Sequence, residues 1–514
     1  MTTMKTWMTI GLLILAGGLV GYSINNSDSN QTETLRVAFP SKRTIKTFEP
    51  TNIHVAYEYI LLENLYSPLV EIDPKGGQVL PALAESFRWE GPELHFKIRS
   101  DVRTISGKQV SAADVIFSLK RVILLSQNTH GNFRDLICPG EVLNSVNDNC
   151  RGLELRGDTV VLKPGSQKTV LLPMLSAIDF AIIPQSAVDP KTLEIIDYRE
   201  TTGLYYLDKQ DDDGSMHLKQ NPNHFRSQDG VAKEVTMVAF DPKVSPGALA
   251  LFDEGKVDHL LTTNASKIEE IINYARNHSD VQLHATMKIK NFVLIFTDRG
   301  KRELTAEQRH IVGKKVRESF TKIYQGLPGY QPSEEFFPAL GDGGLSDTQQ
   351  AEIHRLIGQI KGNPPANLRI GLFKSGDFEQ WATPIREVLP DADLYLEKVL
   401  PDLHTYKDPS EMPHAIIAGT DTGFMEDINL ISYSLNTGFL GLKKSERPQW
   451  MANYMSLSNK EERTKTLREL HFKALADAAI VPLVIAPFVA IARKPWKMEL
   501  SEIYANNQLW LIKR

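Results

Sequence analysis

No single hydrophobic core can organise this chain: cores stop growing at about 250–300 residues, and the sequence runs to 514. Two or three packed units, each with a sizeable core of its own, are therefore expected. Apolar residues make up 42% and charged residues 24%, the balance of an ordinary soluble globular protein. Lys and Arg total 58 against 63 for Asp and Glu, a formal net charge of −5. Such a surface has no broad cationic field for phosphate backbones or anionic lipid, so nucleic acid is not an expected partner.

The N-terminus says where the body of the protein belongs. Lys5 precedes an apolar run over residues 7–20, then come Gly21, Tyr22 and Ser23 and a polar stretch over 25–33. A positive start, a short apolar centre and small residues at its end match an export signal. The run is short for a membrane span, which needs about 20 apolar residues. Cleavage after Ser23 would start the mature chain near Ile24, and a retained anchor is the alternative; both put the body outside the cytoplasm. No cysteine lies near the junction, which argues against a lipid-modified terminus. Cys138 and Cys150 are the only two cysteines. In an oxidising compartment a pair this close would form one disulfide closing a small loop. Two buried free thiols are the alternative, and two cysteines alone cannot build a tetrahedral zinc site.

Helical and strand-like patterns alternate past the polar linker. Residues 35–39 read as a strand and 56–66 as a helix with Ile60, Leu61 and Leu65 on one stripe. Residues 94–99 alternate like a half-buried strand. Ser111 reads as an N-cap with Asp114 three residues on, ahead of Val115, Leu119 and Val122 at helical spacing. Hairpins are expected over 153–162 and 203–220, turning at Arg156-Gly157-Asp158 and at Asp211-Asp212-Asp213-Gly214. Helices follow over 248–252, 308–323 and 460–479, and a strand over 368–373. Residues 326–344, rich in Pro and Gly, must be a long irregular loop. Residues 480–492 are apolar but broken by Pro482 and Pro487, which suits a buried strand more than a helix. The class is α/β or α+β with more than one sheet.

Signatures of catalysis are missing. The sequence has no Gly-x-Ser-x-Gly elbow, no phosphate-cradling Gly-rich loop and no His-Glu-x-x-His helix. The acidic cluster before Gly214 fails as a calcium loop, because Lys209 and Gln220 would fall at ligand positions. His54 and Glu58 form an i, i+4 pair that a metal could share, although surface or core roles are commoner for such pairs. No nucleophile–base pair stands out. Neither enzymatic activity nor a cofactor or metal is expected.

Four segments in order carry a resemblance. They are Leu62-Glu63-Asn64-Leu65-Tyr66-Ser67-Pro68-Leu69-Val70-Glu71-Ile72-Asp73, then Val79-Leu80-Pro81-Ala82-Leu83-Ala84-Glu85-Ser86-Phe87, then Phe96-Lys97-Ile98-Arg99-Ser100-Asp101-Val102. The fourth is Gly107-Lys108-Gln109-Val110-Ser111-Ala112-Ala113-Asp114-Val115-Ile116-Phe117-Ser118-Leu119. Fainter echoes follow at Asn221-Pro222, at Gly255-Lys256-Val257-Asp258 and at Asp477-Ala478-Ala479-Ile480-Val481-Pro482-Leu483. The whole resembles family 5 of the bacterial extracellular solute-binding proteins, the peptide and nickel binders that feed ABC importers.

That resemblance implies an α/β, two-lobed periplasmic-binding-protein fold of type II, large peptide-binding subclass, with mixed sheets and two hinge crossovers. Residues 1–24 would be the signal or anchor, 25–34 a linker and 35–258 the first lobe with an inserted small subdomain. Residues 259–486 would be the second lobe and 487–514 the return, with hinges near 257–263 and 484–490. The implied role is capture of oligopeptides between closing lobes, for delivery to an importer permease in the inner membrane, by a monomer that catalyses nothing. An Asp in the second lobe holds the peptide amine in such proteins, and Asp421, between Thr420 and Thr422, stands in the matching stretch. Asn52, Ile53 and His54 stand where the first lobe touches ligand. Alternative roles on the same fold are binding of a non-peptide solute or metal chelate, and a membrane-anchored sensory or interaction module.

Overall fold

The computed structural model describes residues 34–40, 48–53, 56–75, 78–125, 131–164, 168–241, 247–262, 265–327, 329–337, 343–373, 378–397, 408, 410–421, 431, 434–435, 438, 440–457, 459–501 and 508–514. The N-terminal run, His54 and Thr422 lie outside them. Among the described residues no helix is long and apolar enough to cross a membrane.

Two long antiparallel strands, Val281–Phe296 and Ile480–Arg493, form the spine of the molecule. One end of this ribbon lies in the first lobe. There, 489–492 pair with His259–Thr262, which lies parallel to Thr34–Phe39, followed outward by Glu234–Ala239, Met216–Gln220 and Tyr205–Gln210. The other end lies in the second lobe, where 290–296 pair with Ala415–Asp421, followed by Arg369–Phe373 and Asp393–Leu396. A single sheet of 11 strands thus runs through both lobes.

Both faces of the sheet are covered at its centre, so Ile480–Arg493 and Arg369–Phe373 read as continuous apolar runs rather than alternating ones. In the second lobe Val293, Ile295, Ile416 and Ala418 go to one core. Phe292, Leu294, Phe296 and Ile417 go to the other, with Trp381 and Phe320 from the covering helices Glu379–Val388 and Ala306–Ile323. In the first lobe Val37, Met237 and Ala490 face one core, and Leu260, Val489 and Ile491 face helices Ala248–Asp253 and Ala265–Asn277.

The two prolines sit at the faults in the ladder. Leu483 has no opposite number, because Phe292 registers with Val484 and Val293 with Pro482. The freed carbonyls are used: Ser333 N–H donates to Leu483 O at 3.2 Å and Arg317 Nε to Pro482 O at 2.7 Å. Pro487 falls where register jumps between Thr286 and Lys290. A residue without an N–H belongs at such breaks.

The lobe boundary expected at 258/259 and the hinge expected near 257–263 fall at strand His259–Thr262, which pairs with Thr34–Phe39 and with 489–492. Asp258 stays with the first lobe: it accepts from Arg36 Nε at 2.9 Å and Nη2 at 2.6 Å, clasping the first strand. The strand after it remains in the first lobe's half of the sheet, since its hydrogen-bonding partners are there. The chain first leaves that half at 287–290, opposite Pro487.

The inserted subdomain is a four-stranded antiparallel sheet, Ala84–Glu90, Glu93–Ile98, Thr159–Leu162 and Leu153–Arg156, packed on helix Ala112–Leu125. The helix starts with a reciprocal cap, Ser111 N–H to Asp114 Oδ2 at 2.9 Å and Asp114 N–H to Ser111 Oγ at 3.3 Å. Cys138 and Cys150 are joined in a disulfide with Cα atoms 5.3 Å apart. The apolar cluster of this subdomain (Leu94, Phe96, Val115) runs without a break into the second-lobe residues Val293, Ile295 and Ile416. The lobes therefore touch through apolar side chains.

Candidate functional site

Strand direction locates the cleft. The parallel strands of the first lobe end, at Phe39, Ala239 and Thr262, on the side facing the register break. Those of the second lobe, ending at Phe373, Leu396 and Asp421, run toward the same break from the opposite side. In open α/β sheets ligands bind outside the carboxyl ends of the strands. Six carboxyl ends converging on two crossing strands make a concave site between two bodies that can swing about the crossing.

From the first lobe, Asn52 is exposed and closes a short 3-10 turn, Pro50–Asn52, with Ile53 half-buried behind it. The turn is tied down by one carboxylate. Glu49 accepts from Thr51 N–H at 3.1 Å, from Thr51 Oγ at 2.8 Å and from both terminal nitrogens of Arg121. Arg121 is 1% exposed, and its Nε donates to Leu193 O at 2.8 Å. A buried guanidinium held on three sides gives the turn a rigid base.

From the second lobe, Thr420 registers with Asn291, and Asp421 with Lys290 at the last rung before the break. An acid and a base thus stand at opposite positions where the ladder ends. Another carboxylate stands at the same edge. Glu397 follows strand Asp393–Leu396, is 8% exposed and accepts from Tyr395 Oη at 2.7 Å. Gly371 leaves room for it, because a Cβ there would lie 3.0 Å from Glu397 Cβ.

Sequence reasoning did not single out Asn291, Glu397 or the Glu49–Arg121 clasp. Asn291 lies in a strand whose partner is almost two hundred residues away, and no local period marks it. Cys138, Glu141 and Cys150 come close enough together to suggest a metal, but both sulfurs are in the disulfide and Glu141 pairs with Arg151.

Two lobes, two crossing strands and a cleft at the strand ends define the two-lobed periplasmic-binding-protein fold. Residues 78–302 match the family described as bacterial extracellular solute-binding proteins, family 5, middle region. No curated protein matches the sequence. Among solved structures, OppA of Haemophilus influenzae in complex with the peptide RPPGFSPFR is similar over 94% of this chain and 98% of its own, at 15% identity and a TM-score of 0.67. DppA of Helicobacter pylori with the peptide STSA is similar over 93% and 98%, at 16% identity and 0.67. NikA of Brucella suis with Fe(III)-EDTA is similar over 93% and 99%, at 16% identity and 0.73.

Proposed function

We propose that this chain is the extracytoplasmic capture subunit of an ABC importer and that its solute is an oligopeptide. The observation that carries the reading is the convergence of strand ends from both lobes on one crossing. A solute seated there touches both bodies and favours their closed arrangement by its differential affinity for it. Peptides are bound by OppA and DppA in the two complexes named above. Asp421 is the proposed anchor for a peptide amine, with Glu397 the carboxylate to examine next. Asn52, Ile53 and His54 are the proposed contacts from the first lobe, and Thr420 and Thr422 flank the anchor. The proposed lobes are 34–286 with 488–514, and 290–486.

The role is binding rather than catalysis, with a permease as membrane partner and a monomer as the working form. Whether residues 1–24 are cleaved or retained decides between a free and a tethered subunit, which the N-terminal sequence of the mature protein reads directly. Lys290 opposite Asp421 gives a second reading its footing: a zwitterionic or chelated solute would use both charges. Native mass spectrometry of protein isolated from its own cells separates the two. A ladder of peptide masses is expected, and one discrete non-peptide adduct would overturn the peptide assignment.

A further inference from the structure

Asn291 sits on the spine, one residue into the second lobe from the register break, opposite Thr420 and on the same face as Val293 and Ile295. It is 2% exposed. Its Nδ2 donates to Phe336 O at 2.6 Å, and because a carbonyl oxygen only accepts, the amide cannot be turned over. Its Oδ1 is therefore fixed as the other end, and that atom is buried with no donor among the described residues. Phe336 is held on its N–H side as well. Phe336 N–H donates to His471 Nε2 at 3.0 Å, which puts the ring proton on Nδ1, where it donates to Gly343 O at 2.9 Å. Helix Lys460–Ala476, Phe336, Gly343 and the spine are thus tied by consecutive hydrogen bonds, and among the described residues the chain of bonds ends on an unmet acceptor.

A buried acceptor without a donor is costly, and proteins hold such atoms where something outside the chain supplies the partner. We propose that Asn291 is a binding residue whose Oδ1 accepts a hydrogen bond from an N–H or O–H of the captured solute at the cleft end of the second-lobe sheet. The inference rests on the solute-binding reading and adds a solute-facing acceptor fixed in direction before binding. It asks for a solute with a donor at that point, such as a peptide backbone N–H. An ordered water is the competing occupant.

Two measurements test it. The first is titration calorimetry of stripped wild type and Asn291→Ala with trialanine, after circular dichroism shows that the variant folds. The alanine variant should bind at least about tenfold more weakly. Equal affinity of wild type and alanine variant would overturn the assignment and leave the peptide reading standing. If wild type ignores trialanine but carries another solute that the alanine variant sheds, the peptide reading fails and Asn291 stands. The second needs no variant: a crystal structure of the protein as isolated should place a solute donor within hydrogen-bond reach of Oδ1. Water alone there would overturn the proposal.

Discussion

At the scale of single residues, the recurring device is a neutral buried imidazole that accepts from a backbone N–H. His224 Nδ1 accepts from Arg226 N–H at 3.1 Å, His414 Nδ1 from Arg369 N–H at 2.9 Å and His471 Nε2 from Phe336 N–H at 3.0 Å. A protonated ring has no lone pair to accept with. Burial is the first cause that lowers all three, His224 to about 3 and His471 to about 4, from an ordinary value of 6.5. His259, buried beside Ile491 O, is likewise lowered to about 4. The folded forms thus bind protons less readily than the unfolded chain. Their stabilisation is complete above the unfolded value and is lost as pH falls from there toward 4. Urea midpoints should drop between about pH 7 and pH 5 by an amount worth about 2 kcal/mol for each of His224, His259 and His471; a flat profile over that range would show that the rings are not held neutral. Asp421 makes the other residue-scale prediction. Asp421→Asn should cost at least about 2 kcal/mol of peptide affinity, read by calorimetry, and an unchanged dissociation constant would move the anchor to another group, with Glu397 next to test. The proposal for Asp421 comes from resemblance alone. Asn291 was not legible in the sequence, because its importance lies in an unmatched oxygen that no sequence pattern reveals.

Elements with local causes were the legible ones. The Ser111–Asp114 cap, the hairpins around Gly157 and Gly214 and the helix beginning at Lys460 are set by residues a few positions apart, and each formed where its pattern stood. The run from Ile480 betrayed itself by composition in spite of two prolines. Its partner, Val281–Phe296, was missed: Lys288, Lys290 and Asn291 dilute the apolar pattern, and pairing across the molecule decides its state. Gly329 shows how tightly the crossing is packed. Its φ is +80°, and an added Cβ would come 2.7 Å from Pro487 Cβ. Gly329→Ala should therefore destabilise the protein by about 2 kcal/mol, from left-handed strain and the clash together; an unchanged melting temperature would mean that the strap and Pro487 part easily. In the subdomain, the disulfide closes a loop with a sequence separation of 12. Replacing both cysteines by serine should cost about 3 kcal/mol through loop entropy, measured as the shift in urea midpoint, and no shift would mean that Lys120, which donates to Val146 O and Asp148 O, holds the loop without it.

For the whole molecule, the decisive property is that one sheet serves two lobes. Rotation leaves the sheet continuous and asks of it only a change of backbone angles where register already lapses, at 287–290 and Pro487. The continuous apolar cluster between subdomain and second lobe is the surface such a rotation would part. The two-lobed class could be inferred from a length too great for one core together with the ordered segments between Leu62 and Leu119. The position of the crossing could not, since it depends on pairings that only the folded chain displays. Small-angle X-ray scattering on protein stripped of solute by unfolding and refolding, then titrated with the solute that native protein carries, measures this account most directly. The radius of gyration should fall on binding as the lobes close about the crossing. Identical scattering curves at saturation, with binding confirmed by calorimetry, would contradict it.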